Sequence, residues 1–199
     1  MDALDAILFR RSIRRYAPDQ VTDESVTRLL EAAMSAPSSG NEQPWHFVVI
    51  KSRKLLDDIA QIHPNAQMLK GAPLAIMVCG EERREKYKGF WVQDCSAATE
   101  NILIAAHALG MGSVWVGVYP IREKVDALRR LLGIPEYIIP FSLLPVGYPD
   151  ETKPPSRRYD PERIHRDYWD SNKAKGLNHF SRYFWLKMRL SRVIRGWIN

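Results

Sequence analysis

Four arginines crowd one serine near the start of the chain. The stretch FRRSIRRY, residues 9–16, places Arg10, Arg11, Arg14 and Arg15 around Ser12. Guanidinium forks and a hydroxyl match phosphate oxygens in charge and geometry, so the segment is either an anion site or a basic surface facing water. A second cationic pair, Arg157 and Arg158, stands far along the chain, and two such clusters could converge on one phosphate. The stretch SAPSSGNEQPWHF, residues 35–47, is unusual in another way. It packs Pro37, Ser38, Ser39, Gly40, Asn41, Gln43 and Pro44 into one connection ahead of Trp45. Those hydroxyls and amides either satisfy the loop's own backbone or are offered to something outside it.

Other chemistry finds little support. There is no G-x-G-x-x-G and no G-x-x-x-x-G-K-[ST], so the common dinucleotide and triphosphate cradles are missing. Neither G-x-S-x-G nor H-E-x-x-H occurs. His46, His63, His107, His165 and His179 are scattered and read as structural or solvated side chains. Cys79 and Cys95 have no metal-ligand spacing and no C-x-x-C partner, so they read as buried, reduced thiols. Hydrolase and metalloenzyme readings therefore start weak.

The elements that must position these residues follow from periodicity. A short helix is expected over 2–11, with Asp2 as its N-cap. A clearer one follows Thr22, where Val26, Leu29, Leu30, Ala33 and Met34 repeat at helical spacing until Pro37. Strands are expected over 46–51, 73–80, 113–118 and 138–147, and helices over 54–62, 90–109 and 122–132, the last closed by Gly133. Ala97, Ala98, Ala105 and Ala106 suit the long helix to close packing at the centre of a fold or of a dimer. After the last strand, YPDETKPPSRRYDPERIHRDYW holds four prolines and should run over the surface as a strap. Interleaved helices and strands indicate a layered domain of α and β elements.

At 199 residues with 45% apolar content, the chain suits one domain with a real core. No apolar run approaches a membrane span, and acids occupy the N-terminus where a signal peptide carries bases, so a cytoplasmic protein is expected. The net charge of +6 has one source. Residues 170–199 carry seven Lys/Arg against one acid, while residues 1–169 balance at 22 against 22, so no specific nucleic-acid partner is expected for the main domain. Within that tail, residues 178–198 read as an amphipathic helix with Arg182, Arg189, Arg192 and Arg195 opposite an aromatic and aliphatic side. Such a helix packs across a partner subunit, the favoured expectation, or lies on an anionic membrane surface.

RRSIRRY followed by SAPSSGNEQPW resembles the nitroreductase family of FMN-dependent oxidoreductases, which pair R-[RH]-S-x-[RK]-x-[YF] with P-S-[SA]-x-N-x-Q-P-W. LGMGSVWVG at 109–117 and PVGYPDETKPPSRR at 145–158 resemble that family's later motifs, in order. The resemblance spans residues 1–169 and leaves 170–199 as a basic extension. It implies an α+β fold with a mixed central sheet flanked by helices, in an intertwined homodimer whose interface holds FMN. By the same resemblance, Arg10 binds phosphate, Ser12 the ribityl or phosphate region, and Arg14 the pyrimidine side of the ring, with Arg11 either joining them or facing water. Pro37, Ser38, Ser39 and Asn41 reach the flavin from the other subunit, while Gln43, Pro44 and Trp45 lock the loop. Arg157 or Arg158 adds a phosphate contact, Asn65 and Gln67 either lie at the ring's edge or are surface loop residues, and the segment 114–118 passes beside the reactive edge, where a backbone N–H such as that of Gly117 reaches N5. Larger relatives carry an acidic residue near that last point, which this chain lacks. NADH or NADPH would reduce the flavin and a small electron-poor acceptor, nitroaromatic or quinone, would then use the same pocket, giving ping-pong kinetics. No protein acid or base is implied. A flavin carrier or redox sensor, or a related flavin activity such as reductive dehalogenation, would share the same apparatus. Residues 81–93 are expected either to form a lid, with Tyr87, Phe90 and Trp91 over the flavin, or to pack those aromatics inward.

Overall fold

The computed structural model describes residues 1–156 and 158–169, and the chain divides into two units, Met1–Ser156 and Arg157–Asn199. Arg157 and the helix expected over 178–198 lie outside the described residues. Five helices and five strands make up the first unit: α1 Ala3–Phe9, α2 Asp23–Met34, β1 Trp45–Ile50, α3 Arg53–Ile62, β2 Leu74–Gly80, α4 Trp91–Ala108, β3 Gly112–Ser113, β4 Val116–Gly117, α5 Arg122–Leu132 and β5 Ile139–Gly147. The caps are those the sequence announces. Asp2 accepts from the Leu4 amide and Thr22 from the Ser25 amide, each satisfying a donor the first turn leaves unpaired.

The sheet runs β1-β2-β5-β3, with β4 also on β5, and every pairing between named strands is antiparallel. The sheet expected to be mixed is thus antiparallel, and among the described residues the one parallel bridge, Ser12 to Ser113, lies outside the named strands. β2 is buried along its whole length and alternates between two cores. Ala75, Met77 and Cys79 face one side with α3 and α5, while Leu74, Ile76 and Val78 face the other with α2 and α4. In α4 the small side chains Cys95, Ala98 and Ala106 are fully buried beside α2 and the sheet. There Thr99 donates to the Cys95 carbonyl, so its 2.9 Å contact with Ser142 is one in which the serine donates.

The strand expected over 113–118 is two short strands, and Pro145 is the reason. β3 and β4 keep one register on β5, Ser113 opposite Val146 and Val116 opposite Leu143, which places Val114 opposite Pro145. Proline has no N–H to give the ladder. The Pro145 carbonyl is taken instead by the Ser113 and Tyr16 hydroxyls, at 2.7 and 3.3 Å. The strand therefore opens at Val114 and Trp115, beside the cleft described next.

α1 is left half-clothed. Ala6 is buried, but Leu4, Ile7, Leu8 and Phe9 remain at least half exposed. No helix among the described residues is long and apolar enough to cross a membrane.

Candidate functional site

The basic segment runs extended beside β3, with the Ile13 amide on the Ser113 carbonyl at 3.0 Å. Ile13 turns into the core against Gly112, where a Cβ would sit 2.7 Å from the isoleucine side chain. Alternation along an extended chain then sends Ser12 and Arg14 to the opposite side from Arg11 and Ile13. Glu151 fixes this arrangement by accepting the backbone amides of Arg14 at 2.5 Å and Arg15 at 3.3 Å. The Arg14 amide, with help from Lys153, holds the Glu151 carboxyl below the usual glutamate range. Lys153 also donates to the Ser12 carbonyl, so the start of the strap is stitched to the basic segment.

Arg14 borders a cleft of about 440 Å³, whose other walls are Pro64, Asn65, Gln67, Met68 and the opened strand from Val114 to Gly117. Four residues singled out by the sequence, Arg14, Asn65, Gln67 and Gly117, thus meet although the first and last are 103 positions apart. The Arg14 guanidinium forms no ion pair or side-chain hydrogen bond among the described residues. Gln67 donates its amide nitrogen to the Ala60 carbonyl, which leaves its oxygen as the group it can offer. Asn65 is exposed on the 3₁₀ segment Pro64–Lys70. Trp115, Met68, Val114 and Val116 give the cleft an apolar wall, and sequence reasoning passes over Met68 and Trp115 as site residues. Nothing in their types marks them; only the gap that Pro145 opens in the strand makes Trp115 a wall.

The remaining arginines go elsewhere. Arg10 is half-buried and pairs with Glu100 on α4 at 3.3 Å. Arg11 does not line the cleft: half-buried, its guanidinium donates to the Leu8, Arg10 and Pro154 carbonyls at 2.6–2.9 Å. Burial, with Arg10 and Arg11 nearby, pushes the neighbouring His107 imidazole below its usual range. Arg158 is exposed in the second unit.

The loop holding Pro37, Ser38, Ser39 and Asn41 lines no part of the cleft within one chain. It turns through three left-handed residues, Gly40, Asn41 and Gln43. Much of its polar capacity serves its own backbone and side chains, with Gln43 donating from its amide to the Ser38 hydroxyl and from its side chain to Asn41. The loop is docked on α4, where Asp94 accepts the Ser39 amide at 3.1 Å. It is also docked on residues 85–91, where Glu42 accepts the amides of Lys86 and Tyr87. Burial raises the Asp94 carboxyl, the Ser39 amide opposes that, and Glu42 and Glu85 add to the rise. Of the three aromatics expected as a lid or as core, Trp91 is core. It is 2% exposed and meets Tyr119 and Phe141 edge-on, whereas Tyr87 and Phe90 are exposed.

Known proteins resemble this chain over most of its length. The profile of the Nitroreductase family matches residues 7–63 and 62–148. A relative from Methanothermobacter thermautotrophicus, provisionally named NADH dehydrogenase/NAD(P)H nitroreductase, is 51% identical over 169 residues, covering 85% of this chain and 88% of its own. A crystal structure of a protein with the same provisional name from Parabacteroides distasonis superposes with a TM-score of 0.81 at 40% identity, over 84% of this chain and 98% of that one. A provisionally named nitroreductase from Desulfovibrio desulfuricans, crystallised in complex with FMN, superposes with a TM-score of 0.73 at 32% identity, over 85% and 99% of the two chains.

Proposed function

This chain belongs to the nitroreductase family, and from that premise we propose that it is an FMN-dependent NAD(P)H oxidoreductase that delivers electrons to a small electron-poor acceptor. The observation that carries the reading is the cleft in which an uncommitted arginine, two side-chain amides and the Gly117 backbone converge on an apolar wall. A flavin ring demands that combination: apolar faces to pack, and hydrogen-bonding groups along one polar edge. The residues present therefore fit FMN. When bound, FMN supplies the hydride-accepting chemistry and passes the electrons on, so the protein's work is binding and orientation.

Arg14 would hold the polar edge of the ring, where its positive charge favours negative charge gathering on reduction. Asn65 and the Gln67 oxygen would set the ring's orientation from the second wall, and Gly117 would bring its backbone close. Ser12 and Arg10 lie on the continuation of the same segment and would receive the ribityl phosphate. Arg11, spent on backbone carbonyls, is left out of this cradle. The loop of Pro37, Ser38, Ser39 and Asn41 would reach the flavin of a second copy in a homodimer. NADH or NADPH and the acceptor would occupy the same open face in turn, which predicts ping-pong kinetics with a nitroaromatic or quinone. Double-reciprocal plots at several acceptor concentrations test it: parallel lines are expected, and intersecting lines would show that both substrates bind together.

A further inference from the structure

Resting on the reading of the cleft as a flavin site, we infer that His63 is a positioning residue that sets the Gly117 backbone against the cofactor. His63 is 1% exposed and sits at the junction of α3 with the 3₁₀ segment Pro64–Lys70, the segment that carries Asn65 and Gln67 into the cleft. Its Nε2 lies 3.0 Å from the Gly117 carbonyl oxygen. A carbonyl only accepts, so Nε2 carries the proton and the ring is the Nε2–H tautomer. Nδ1 is buried and finds no partner among the described residues, in keeping with a bare lone pair there. One imidazole thus joins the two walls of the cleft.

Gly117 needs such a pin. β4 is two residues long and β3 ends at Ser113, so little ladder holds this edge. Val118 donates to the Phe141 carbonyl, which makes that pair a hydrogen-bonded position of the antiparallel ladder. The next position, Gly117 opposite Ser142, is then a non-hydrogen-bonded one, and its N–H and C=O turn away from β5. Glycine has the widest choice of backbone angles of any residue, and here its own strand does not restrict it. The His63 bond to the carbonyl fixes the rotation that also aims the Gly117 N–H, which points to the same edge of the strand. His63 therefore acts through the backbone and touches no reacting atom.

The test uses the full-length protein loaded with FMN, with His63→Leu and His63→Gln as a pair. Leucine removes the donor, whereas glutamine places an N–H at a similar reach. The expected result is that His63→Leu binds FMN about tenfold more weakly and shifts the flavin reduction potential and visible band shape. His63→Gln should restore all three toward the parent even where both variants lose equal thermal stability. In the parent apoprotein, ¹⁵N NMR should report the Nε2–H tautomer. Unchanged affinity and potential in His63→Leu would overturn the inference, as would equal losses in both variants or an Nδ1–H ring. Failure of the parent itself to bind FMN is a different result, and it would remove the flavin reading beneath the inference.

Discussion

At the scale of single residues the account turns on Arg14, a guanidinium aimed at a cleft while its own amide is held by Glu151. Replacing Arg14 with alanine removes a charge-assisted contact worth about 1.5–3 kcal/mol. The expected outcome is FMN affinity about 10- to 100-fold lower with little loss of stability, measured by quenching of flavin fluorescence. Glu151 makes a pH prediction. Its folded-state carboxyl lies below the usual value, so its contribution is present above the ordinary glutamate value of 4.5 and is lost as the pH falls through and below it. Unfolding curves should show a parent that weakens across that acid range, while Glu151→Gln is less stable at pH 7 and flatter below. In the sequence, the role proposed for Arg14 rests on the family pattern alone, because residue types cannot tell an arginine that faces a cleft from one capping carbonyls. Arg11 and Arg14 look alike in the sequence, and alternation along the extended segment that contains them separates them. His63 is invisible in sequence for a related reason: a lone histidine declares a role only when its partner, here a carbonyl 54 positions away, is known.

At the scale of elements, most helices and strands are legible to within a residue or so, since their apolar spacing and caps are local, although the first helix, expected to residue 11, ends at Phe9. The strand over 113–118 fails because its interruption comes from Pro145 on another strand, which periodicity within the segment cannot register. The 37–43 loop is a mixed case. Its polar richness is plain, but only the structure shows how much is spent on Asp94, Glu42 and its own turns. Gly40 has φ of +55°, and a Cβ there would meet the Tyr87 ring at 2.8 Å. Gly40→Ala should cost about 1–2 kcal/mol in urea denaturation from the left-handed backbone, and should also weaken FMN retention. A variant equally destabilised but with unchanged FMN affinity would detach this loop from the proposed cofactor site.

At the scale of the molecule, one chain keeps the 37–43 loop away from the Arg14 cleft and leaves Leu4, Ile7, Leu8 and Phe9 of α1 open to water. Both features suit the homodimer proposed above, in which α1 would contribute to the covered face. Sedimentation should show a dimer, and Leu4→Glu with Leu8→Glu should yield monomers that lose FMN together with the interface. Removing residues 171–199 should weaken the dimer if the basic tail packs on the partner; a stable truncated dimer that no longer binds anionic vesicles would assign the tail to membranes instead. A homodimer is implied by the family resemblance and not by composition, because an exposed apolar helix and a buried one share the same periodicity. The central claim is tested most directly by one spectrum. Purified protein reconstituted with FMN is freed of excess, scanned anaerobically, and scanned again after NADH or NADPH. The account predicts about one FMN per chain, bleached by at least one reductant and restored by a quinone or nitroaromatic. Protein that retains no flavin, or bound flavin that neither nicotinamide reduces, would contradict it.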